Sequence, residues 1–235
     1  MRLDKYLSEA AVCSRRDAAR AAKACEVTVD GEVVRDPSVH IDPETAEVSF
    51  CGSPVSWKRF TYVMLNKPEG VISSTEDSGR TVMDVLPPEC RKKNMFPCGR
   101  LDIDTTGLLL ITNDGECAHM LLSPSRHVEK TYAFECSFPI GDSEREALER
   151  GVDIGGSVTS PSVLRLDSPT TGKITVTEGK YHQIKRMFHA VGSEIVSLER
   201  VSFGPLTLDP SLARGEFRYL TAEEEEALLR AAKKQ

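Results

Sequence analysis

The chain has 235 residues, 40% of them hydrophobic and 28% charged, with a net charge of −6 at pH 7. This length suffices for one large domain or for a small and a medium one, and no apolar run approaches the roughly 18 residues of a membrane span. Because the N-terminus lacks a signal-peptide core and the seven cysteines include no C-x-x-C pair, we expect a cytoplasmic protein with no membrane partner, zinc site or disulfide scaffold.

The first strong element is a basic helix. Ser14 is typical of an N-cap, Asp17 is the reciprocal capping residue, and an alanine-rich run continues to Ala24. Basic side chains recur at i, i+4 and i+7 and therefore share one face: Arg16, Arg20 and Lys23. Residues 1–25 carry a local charge of +3, which allows phosphate binding although the whole protein is acidic.

Short strands follow the basic helix. Residues 27–34 alternate and turn at Asp30-Gly31, which predicts a hairpin, and residues 46–50 predict another strand. Residues 52–57 (GSPVSW) are typical of a connector.

This front unit resembles the S4 RNA-binding domain in residues 2–7 (RLDKYL), 14–18 (SRRDA) and 27–31 (VTVDG). The resemblance implies contacts with RNA phosphates from Arg2, Lys5, Arg15, Arg16, Arg20 and Lys23.

A second pattern begins near residue 60. Residues 61–65 predict a buried strand that continues into Asn-Lys-Pro-Glu-Gly, and residues 81–86 predict a short helix ended by two prolines. The loop 99–107 (GRLDIDTTG) contains two aspartates and leads into the apolar run 108–112, which predicts a buried strand closed by a tight Asn-Asp-Gly turn. A loop fixed to a buried strand could hold a carboxylate rigidly against a reacting atom.

Mixed helices and strands complete the chain. We expect helices over 116–122, 142–150 and 180–190, strands over 130–136, 174–176 and 195–201, and a final helix with a capping box of Thr221 and Glu224. Their order predicts an α+β protein. Residues 1–58 would form a small S4-like domain, and residues 59–235 a larger domain on a mixed, mainly antiparallel sheet with flanking helices.

Three segments of the second domain carry candidate chemistry: the Asp102 loop, residues 129–132 (EKTY) and residues 178–188 (EGKYHQIKRMF). Taken singly, each has an ordinary explanation. Tyr132 fits a half-buried core position, and Lys185 and Arg186 fit surface charges. His182 of the last segment and His189 just after it are seven residues apart, so they form no i, i+4 metal pair.

Taken together with residues 64–68 (MLNKP), 220–221 (LT) and the S4-like front, these segments resemble the RsuA-type pseudouridine synthases of small-subunit ribosomal RNA. The resemblance implies isomerisation of a uridine without cofactor or metal, with ionised Asp102 as nucleophile or base. Tyr132 would stack on the uracil and serve as a candidate acceptor of the C5 proton. Lys185, aligned with an arginine of the family, would keep Asp102 ionised, with Arg186 as the alternative.

Further RNA contacts are expected around a nucleotide flipped out of its helix. Arg100 corresponds to a position near that nucleotide, and Lys67, His182 and Gln183 complete the predicted set. Asp104 is expected only to order the loop.

Other functions remain open on the sequence alone. They are a synthase of large-subunit ribosomal RNA, a non-catalytic ribosomal RNA-binding assembly factor, and a metal-dependent nuclease built on Asp102 and Asp104. The expected partner is ribosomal RNA or a ribonucleoprotein assembly intermediate, and a monomer is the default. The sequence decides neither which uridine is modified nor whether Asp102 attacks C6 or acts at C1′.

Overall fold

The computed structural model describes residues 1–10, 12–92 and 94–233. The chain divides into two compact units, one of residues 1–61 with 88–94 and the other of residues 62–87 with 95–235. The boundary after residue 58 stays a prediction.

The first unit packs two helices against a small sheet. Its elements are α1 (Leu3–Glu9), α2 (Arg15–Lys23), β1 (Val27–Val29), β2 (Glu32–Val33), β3 (Val48–Phe50) and β4 (Ser53–Val55). The strands are antiparallel in the order β2-β1-β3-β4. Leu3, Leu7, Ala18 and Val27 are buried in the core of this unit.

In this unit the predicted helix cap and hairpin turn are confirmed, and the predicted connector is wrong. Ser14 caps α2 by accepting from the Asp17 N–H at 3.2 Å, while the Asp17 carboxylate accepts from the Ser14 hydroxyl at 2.6 Å. Asp30 and Gly31 have positive φ angles of 52° and 84°, as the predicted hairpin turn requires. The expected connector 52–57 instead contains β4 at the sheet edge, where Pro54 is tolerated.

The second unit is built on a larger sheet. Its elements begin with β5 (Tyr62–Lys67) and α3 (Val82–Val85); α4 (Pro88–Lys92) belongs to the first unit's residues. There follow β6 (Phe96–Pro97), β7 (Thr106–Thr112), α5 (Gly115–Leu122), β8 (Lys130–Cys136), α6 (Asp142–Arg150), β9 (Val163–Leu166), β10 (Thr171–Val176), α7 (Gln183–Ala190), β11 (Ile195–Phe203), β12 (Leu206–Thr207), β13 (Phe217–Tyr219) and α8 (Ala222–Lys233).

The strands of the large sheet follow the order β13-β5-β7-β11-β8-β10-β9, with β6 on β7 and β12 on β11. Among the described pairings, β7–β11 is parallel and the others are antiparallel, which confirms the mixed α+β prediction. The parallel pair is unusually close at Gly107, where a Cβ would lie 2.4 Å from the carbonyl oxygen of Arg200. None of the described helices is long and apolar enough to cross a membrane.

Several element boundaries differ from prediction: β10 begins at Thr171 rather than at residue 174, and β11 ends at Phe203 rather than at residue 201. The strand 130–136 and the helix 142–150 are confirmed. The predicted turn at residues 113–115 is wrong, because Asp114 caps α5 by accepting from the Cys117 N–H at 3.0 Å. The last basic helix begins at Gln183, three residues later than predicted, because His182 adopts a left-handed conformation with a φ of 48°.

A polar cluster holds α8 against the chain before it. Arg218 donates to Asp209 at 2.6 Å and to both oxygens of Glu224 at 2.7 and 2.8 Å. Glu224 also accepts from the Thr221 N–H at 2.9 Å, which confirms the predicted capping box. Hydrogen bonds from the Ser211 hydroxyl and N–H, together with Arg218, lower the pKa of Asp209 to about 2.

We expect Asp209→Asn to lower the free energy of unfolding at pH 7 because it removes the charge that Arg218 faces. An aspartate with a pKa of about 2 in the folded protein and about 3.9 in the unfolded chain contributes stability that is present above about pH 4 and lost as the pH falls toward 2. Urea titrations of both proteins between pH 2 and pH 7 should show the difference shrinking over that interval. A difference that stays constant down to pH 2 would contradict this assignment.

Candidate active site

The backbone of the Asp102 loop is held by hydrogen bonds from a buried lysine. Lys67 ends β5 and has no exposed surface. Its ammonium donates to the carbonyl oxygens of Asp102 at 3.0 Å, Ile103 at 3.3 Å and Thr105 at 2.9 Å, and to that of Pro68 at 3.2 Å. Burial lowers the pKa of Lys67 to about 8, against the charges of Asp104 and Asp102, which raise it.

Further backbone contacts hold both sides of the loop. The Ser73 hydroxyl donates to the carbonyl oxygen of Leu101 at 2.9 Å and accepts from the N–H of the same residue at 3.1 Å. The Gly70 N–H donates to the carbonyl oxygen of Ile103 at 2.8 Å. The peptide groups around Asp102 are thus bonded inward, and its side chain is left free to face a cavity.

The carboxylate of Asp102 lies between two basic side chains. Its Oδ2 is 3.4 Å from Lys185 Nζ and its Oδ1 is 3.6 Å from His182 Nε2. The Asp102 side chain is 28% exposed, so it is accessible to a ligand but partly shielded from solvent. Lys185 lies in the first turn of α7, and that helix brings it to a loop some eighty residues earlier in the chain.

Lys185 is shared by both aspartates of the loop. Its Nζ lies 2.5 Å from Asp104 Oδ1, closer than to Asp102. Burial raises the pKa of Asp104, but the hydrogen bond and charge of Lys185 outweigh it and leave that pKa below its usual value. The expectation that Asp104 only orders the loop therefore misses its contact with Lys185.

A cavity of about 600 Å³ opens beside Asp102. Tyr132, half-buried on β8, lines this cavity together with Arg100, whose side chain is exposed. At the edge, the Tyr181 and His182 rings stack with centroids 3.8 Å apart. The structure thus brings together five of the predicted residues: Arg100, Asp102, Tyr132, His182 and Lys185.

Three predicted residues are engaged elsewhere. Arg186 donates to the carbonyl oxygens of Ile154, Gly155 and Tyr181, so its guanidinium is not the one beside Asp102. The predicted RNA contacts of Lys67 and Gln183 do not fit their burial. Lys67 lies beneath the loop, and both ends of the Gln183 amide are bonded within the protein, its nitrogen donating to Glu178 and its oxygen accepting from the Lys180 N–H.

The basic residues of the first unit lie at its surface. Arg15, Arg16, Arg20 and Lys23 are exposed on α2. Arg20 contacts Asp17, Lys5 pairs with Glu9 at 3.6 Å, and Arg2 donates twice to the buried Asp4 at 3.1 and 3.0 Å. The helix therefore presents accessible positive charge, as predicted, whereas Arg2 and Lys5 are partly neutralised by neighbours.

Sequence reasoning missed two cations on the cavity wall. Lys130 and Arg200 both line the cavity and are 9% and 2% exposed. Alternation along β8 could have indicated Lys130, two residues before Tyr132, whereas Arg200 required the strand register, because it lies opposite Tyr132 on the neighbouring strand. Among the described residues, no group of three or more His, Cys, Asp or Glu side chains could hold a metal ion.

Comparison with known proteins places this arrangement in a family context. The family model described as RNA pseudouridylate synthase matches residues 61–190, and the S4 domain model matches residues 1–46. An uncharacterized RNA pseudouridine synthase of Bacillus subtilis is 48% identical over 95% of this chain and 96% of its own length. The ribosomal small subunit pseudouridine synthase A of Escherichia coli K12 is 42% identical over 95% and 98%, respectively.

A solved structure agrees with these sequence relatives. The crystal structure of a pseudouridylate synthase is 36% identical, covers 97% of this chain and 99% of its own, and superposes with a TM-score of 0.68.

We expect Lys67→Met to loosen the Asp102 loop, because it leaves buried carbonyl oxygens without their donor at a cost of roughly 1–3 kcal/mol each. The free energy of unfolding should fall, and amide hydrogen exchange should accelerate at residues 102–105. Chemical denaturation and exchange mass spectrometry measure the two effects. Lys173→Met, at an exposed position of β10, is the control, and equal exchange in both variants would contradict the role of Lys67.

Proposed function

This chain belongs to the RNA pseudouridylate synthases that carry an S4 domain, and on that premise we propose that it converts one uridine of small-subunit ribosomal RNA to pseudouridine, with Asp102 as the catalytic carboxylate. The observation that carries this proposal is the Asp102 carboxylate 3.4 Å from Lys185 Nζ, in a cavity that Tyr132 also lines. The relative at 42% identity, whose name states action on the small subunit, supports the choice of RNA.

The reaction requires one glycosidic bond to break and another to form on the same nucleotide. The N1–C1′ bond is cleaved, the uracil turns, C5 bonds to C1′, C5 loses its proton and N1 gains one. Substrate and product are isomers, so no electrons are exchanged with another molecule. The protein must therefore provide a nucleophile or base, hold the detached uracil and move one proton.

In the proposal, Asp102 acts in its ionised form, either at C6 of the uracil or at C1′ of the sugar. The ammonium of Lys185, 3.4 Å from Oδ2, is the proposed counter-ion of that carboxylate. The inward bonding of the loop holds the carboxylate in place, so little orientational freedom is lost on reaction. Lys185 takes the role of cation, and Arg186 braces α7 through the carbonyl oxygens that it contacts.

Tyr132 is the proposed stacking residue for the uracil and a candidate acceptor of the C5 proton. Its ring is half-buried on the cavity wall. The guanidinium of Arg100 and the imidazole of His182, which can both form hydrogen bonds, line the same cavity. A uridine can enter only after it leaves its helix, at a cost of a few kcal/mol. Exposed Arg100 is placed to bind the phosphate backbone of the extruded nucleotide.

The S4-like front is proposed to bind ribosomal RNA through the exposed basic face of α2. We keep residues 1–58 and 59–235 as the proposed domains, with a monomer and a cytoplasmic location as working expectations. The RNA substrate can be naked ribosomal RNA, a partial ribonucleoprotein or the finished subunit. Large-subunit ribosomal RNA remains the alternative substrate.

Asp102→Asn should abolish pseudouridine formation without preventing RNA binding, because it keeps the shape of the side chain and removes its charge and nucleophilicity. Cells lacking the gene would be complemented with the wild type, Asp102→Asn or the control Asp142→Asn, which changes an exposed carboxylate at the start of α6. Mapping pseudouridines in their ribosomal RNA should reveal one small-subunit site that depends on the wild type and the control.

Each other outcome of this mapping has a distinct meaning. A site in large-subunit RNA alone would replace the proposed substrate, and no changed site would favour a non-catalytic assembly factor. Activity of Asp102→Asn would remove Asp102 as the catalytic group. Filter binding of the purified variant to small-subunit RNA separates loss of chemistry from loss of binding.

Neutralising the basic face of α2 should weaken RNA binding and reduce its dependence on salt. In the full-length protein, Arg16→Gln, Arg20→Gln and Lys23→Gln together should lower the slope of log affinity against log salt by about 2–3 units if each side chain contacts one phosphate. Filter-binding titrations measure the slope, with Arg165→Gln plus Lys173→Gln, two exposed side chains of β9 and β10, as the control. An unchanged slope would refute the proposed role of α2.

A further inference from the structure

Two buried cations share the wall of the cavity with Tyr132. Lys130 precedes Tyr132 by two residues on β8, so the two side chains lie on the same face of the strand. Arg200 pairs directly with Tyr132 from β11 and therefore also faces that side. All three side chains line the same cavity as Asp102.

The guanidinium of Arg200 is incompletely bonded. Its Nε donates to the carbonyl oxygen of Leu108 at 2.7 Å, whereas its Nη2 is shielded from water and has no hydrogen-bond partner. Lys130 Nζ donates to the carbonyl oxygen of Val128 at 2.8 Å. In the described part of the chain, neither side chain forms an ion pair with a carboxylate.

This arrangement is costly for the protein without a ligand. A buried donor without an acceptor forfeits the hydrogen bond that it made with water. Burial and the adjacent charge of Arg200 lower the pKa of Lys130 to about 8, so the two cations also repel each other. The ring of Phe203, 5.2 Å from the Arg200 guanidinium and 5.7 Å from Lys130 Nζ, offsets only part of this repulsion. An anionic oxygen in the cavity would satisfy both groups.

We propose that Arg200, with Lys130 beside it, stabilises the negative charge that develops on a carbonyl oxygen of the uracil during the isomerisation. This inference rests on the proposed function and adds an electrophilic catalytic residue to it. Arg200 is the cross-strand neighbour of Tyr132, so a uracil stacked on Tyr132 would lie close to Arg200. A backbone phosphate is the less suitable ligand, because Arg200 is 2% exposed whereas Arg100 at the same cavity is accessible.

The role holds for both routes left open for Asp102. If Asp102 adds to C6, the electron pair of the C5–C6 bond moves toward C4 and its oxygen becomes negative. If Asp102 displaces the base at C1′, the pair of the N1–C1′ bond leaves on the uracil and is shared by O2 and O4. On the C1′ route C5 then displaces the Asp102 carboxylate from C1′, and on the C6 route C5 bonds to C1′ and Asp102 is expelled from C6. In either case the charge disappears once Asp102 is free again, the C5 proton has left and N1 has been protonated. Donors fixed where such charge develops accelerate the step at which it forms.

The first test separates charge stabilisation from phosphate binding. Single-turnover rates at saturating enzyme on a small-subunit ribosomal RNA transcript should fall about 10²–10³-fold in Arg200→Met, as for loss of one oxyanion donor. Affinity for the same RNA should remain close to that of the wild type, and Arg200→Lys should restore part of the rate. Arg165→Met, an exposed arginine on β9, is the control. Weakened binding with an unchanged saturated rate would overturn the proposal in favour of a phosphate contact.

The second test has a wild-type arm that needs no folded Arg200 variant. Transcripts containing 2-thiouridine or 4-thiouridine place sulfur, a weaker hydrogen-bond acceptor, at one carbonyl position of the target base. The wild type should be slowed by one of the two substitutions, and Arg200→Met should lose that sensitivity while the control keeps it. A wild-type enzyme with equal rates on all three RNAs would overturn the role of Arg200 but leave the proposed function intact. A wild-type enzyme that forms no pseudouridine in either small-subunit or large-subunit ribosomal RNA would instead contradict the proposed function, and this inference with it.

Discussion

The site depends on the hydrogen bonds that the buried ammonium of Lys67 donates to the Asp102 loop. Lys67 lies at the end of a strand whose six residues are all buried, and it bonds the backbone oxygens of three residues in the Asp102 loop. A loop that bonds inward in this way needs no side-chain contacts of its own to keep its shape. Asp102 can therefore stay available to a ligand while its backbone is held as firmly as that of a strand.

The balance of charge around the loop follows from this constraint. Two carboxylates are held two residues apart, and a single lysine from α7 contacts both of them. Asp104 competes with Asp102 for Lys185, so the cation beside the proposed catalytic carboxylate is shared with a second acceptor. Lys130 and Arg200 line the same cavity, and in the described part of the chain neither forms an ion pair with these carboxylates.

Local signals in the sequence predicted most elements but not the contacts between them. The cap at Ser14, the Asp30-Gly31 turn and the strand around Tyr132 depend on neighbouring residues, and all three are confirmed. The strand β4 was missed because glycine and proline also occur at sheet edges. The turn expected at Asp114 was wrong because an Asx cap and a tight turn share the same residues.

For the site, the family resemblance indicated Asp102, Tyr132 and Lys185, and the structure brings these side chains to one cavity. The resemblance also places Lys67 and Gln183 among the RNA contacts, because a sequence motif identifies residues but does not show whether their side chains are buried or exposed. Burial is a property of the packed chain, so the roles of Lys67 beneath the loop and of Arg200 on the wall required strand register and depth.

The close parallel pairing at Gly107 also bears on when the site can form during folding. Gly107 and the backbone of Arg200 pack together without room for a Cβ, yet about ninety residues of chain separate them. Contacts of such long range are entropically slow to close, whereas the helices and hairpin of the first unit are local. During synthesis, the basic helix is complete long before β11 exists to be paired. An unfinished chain would thus carry positive charge for RNA well before it possessed a functional catalytic cavity.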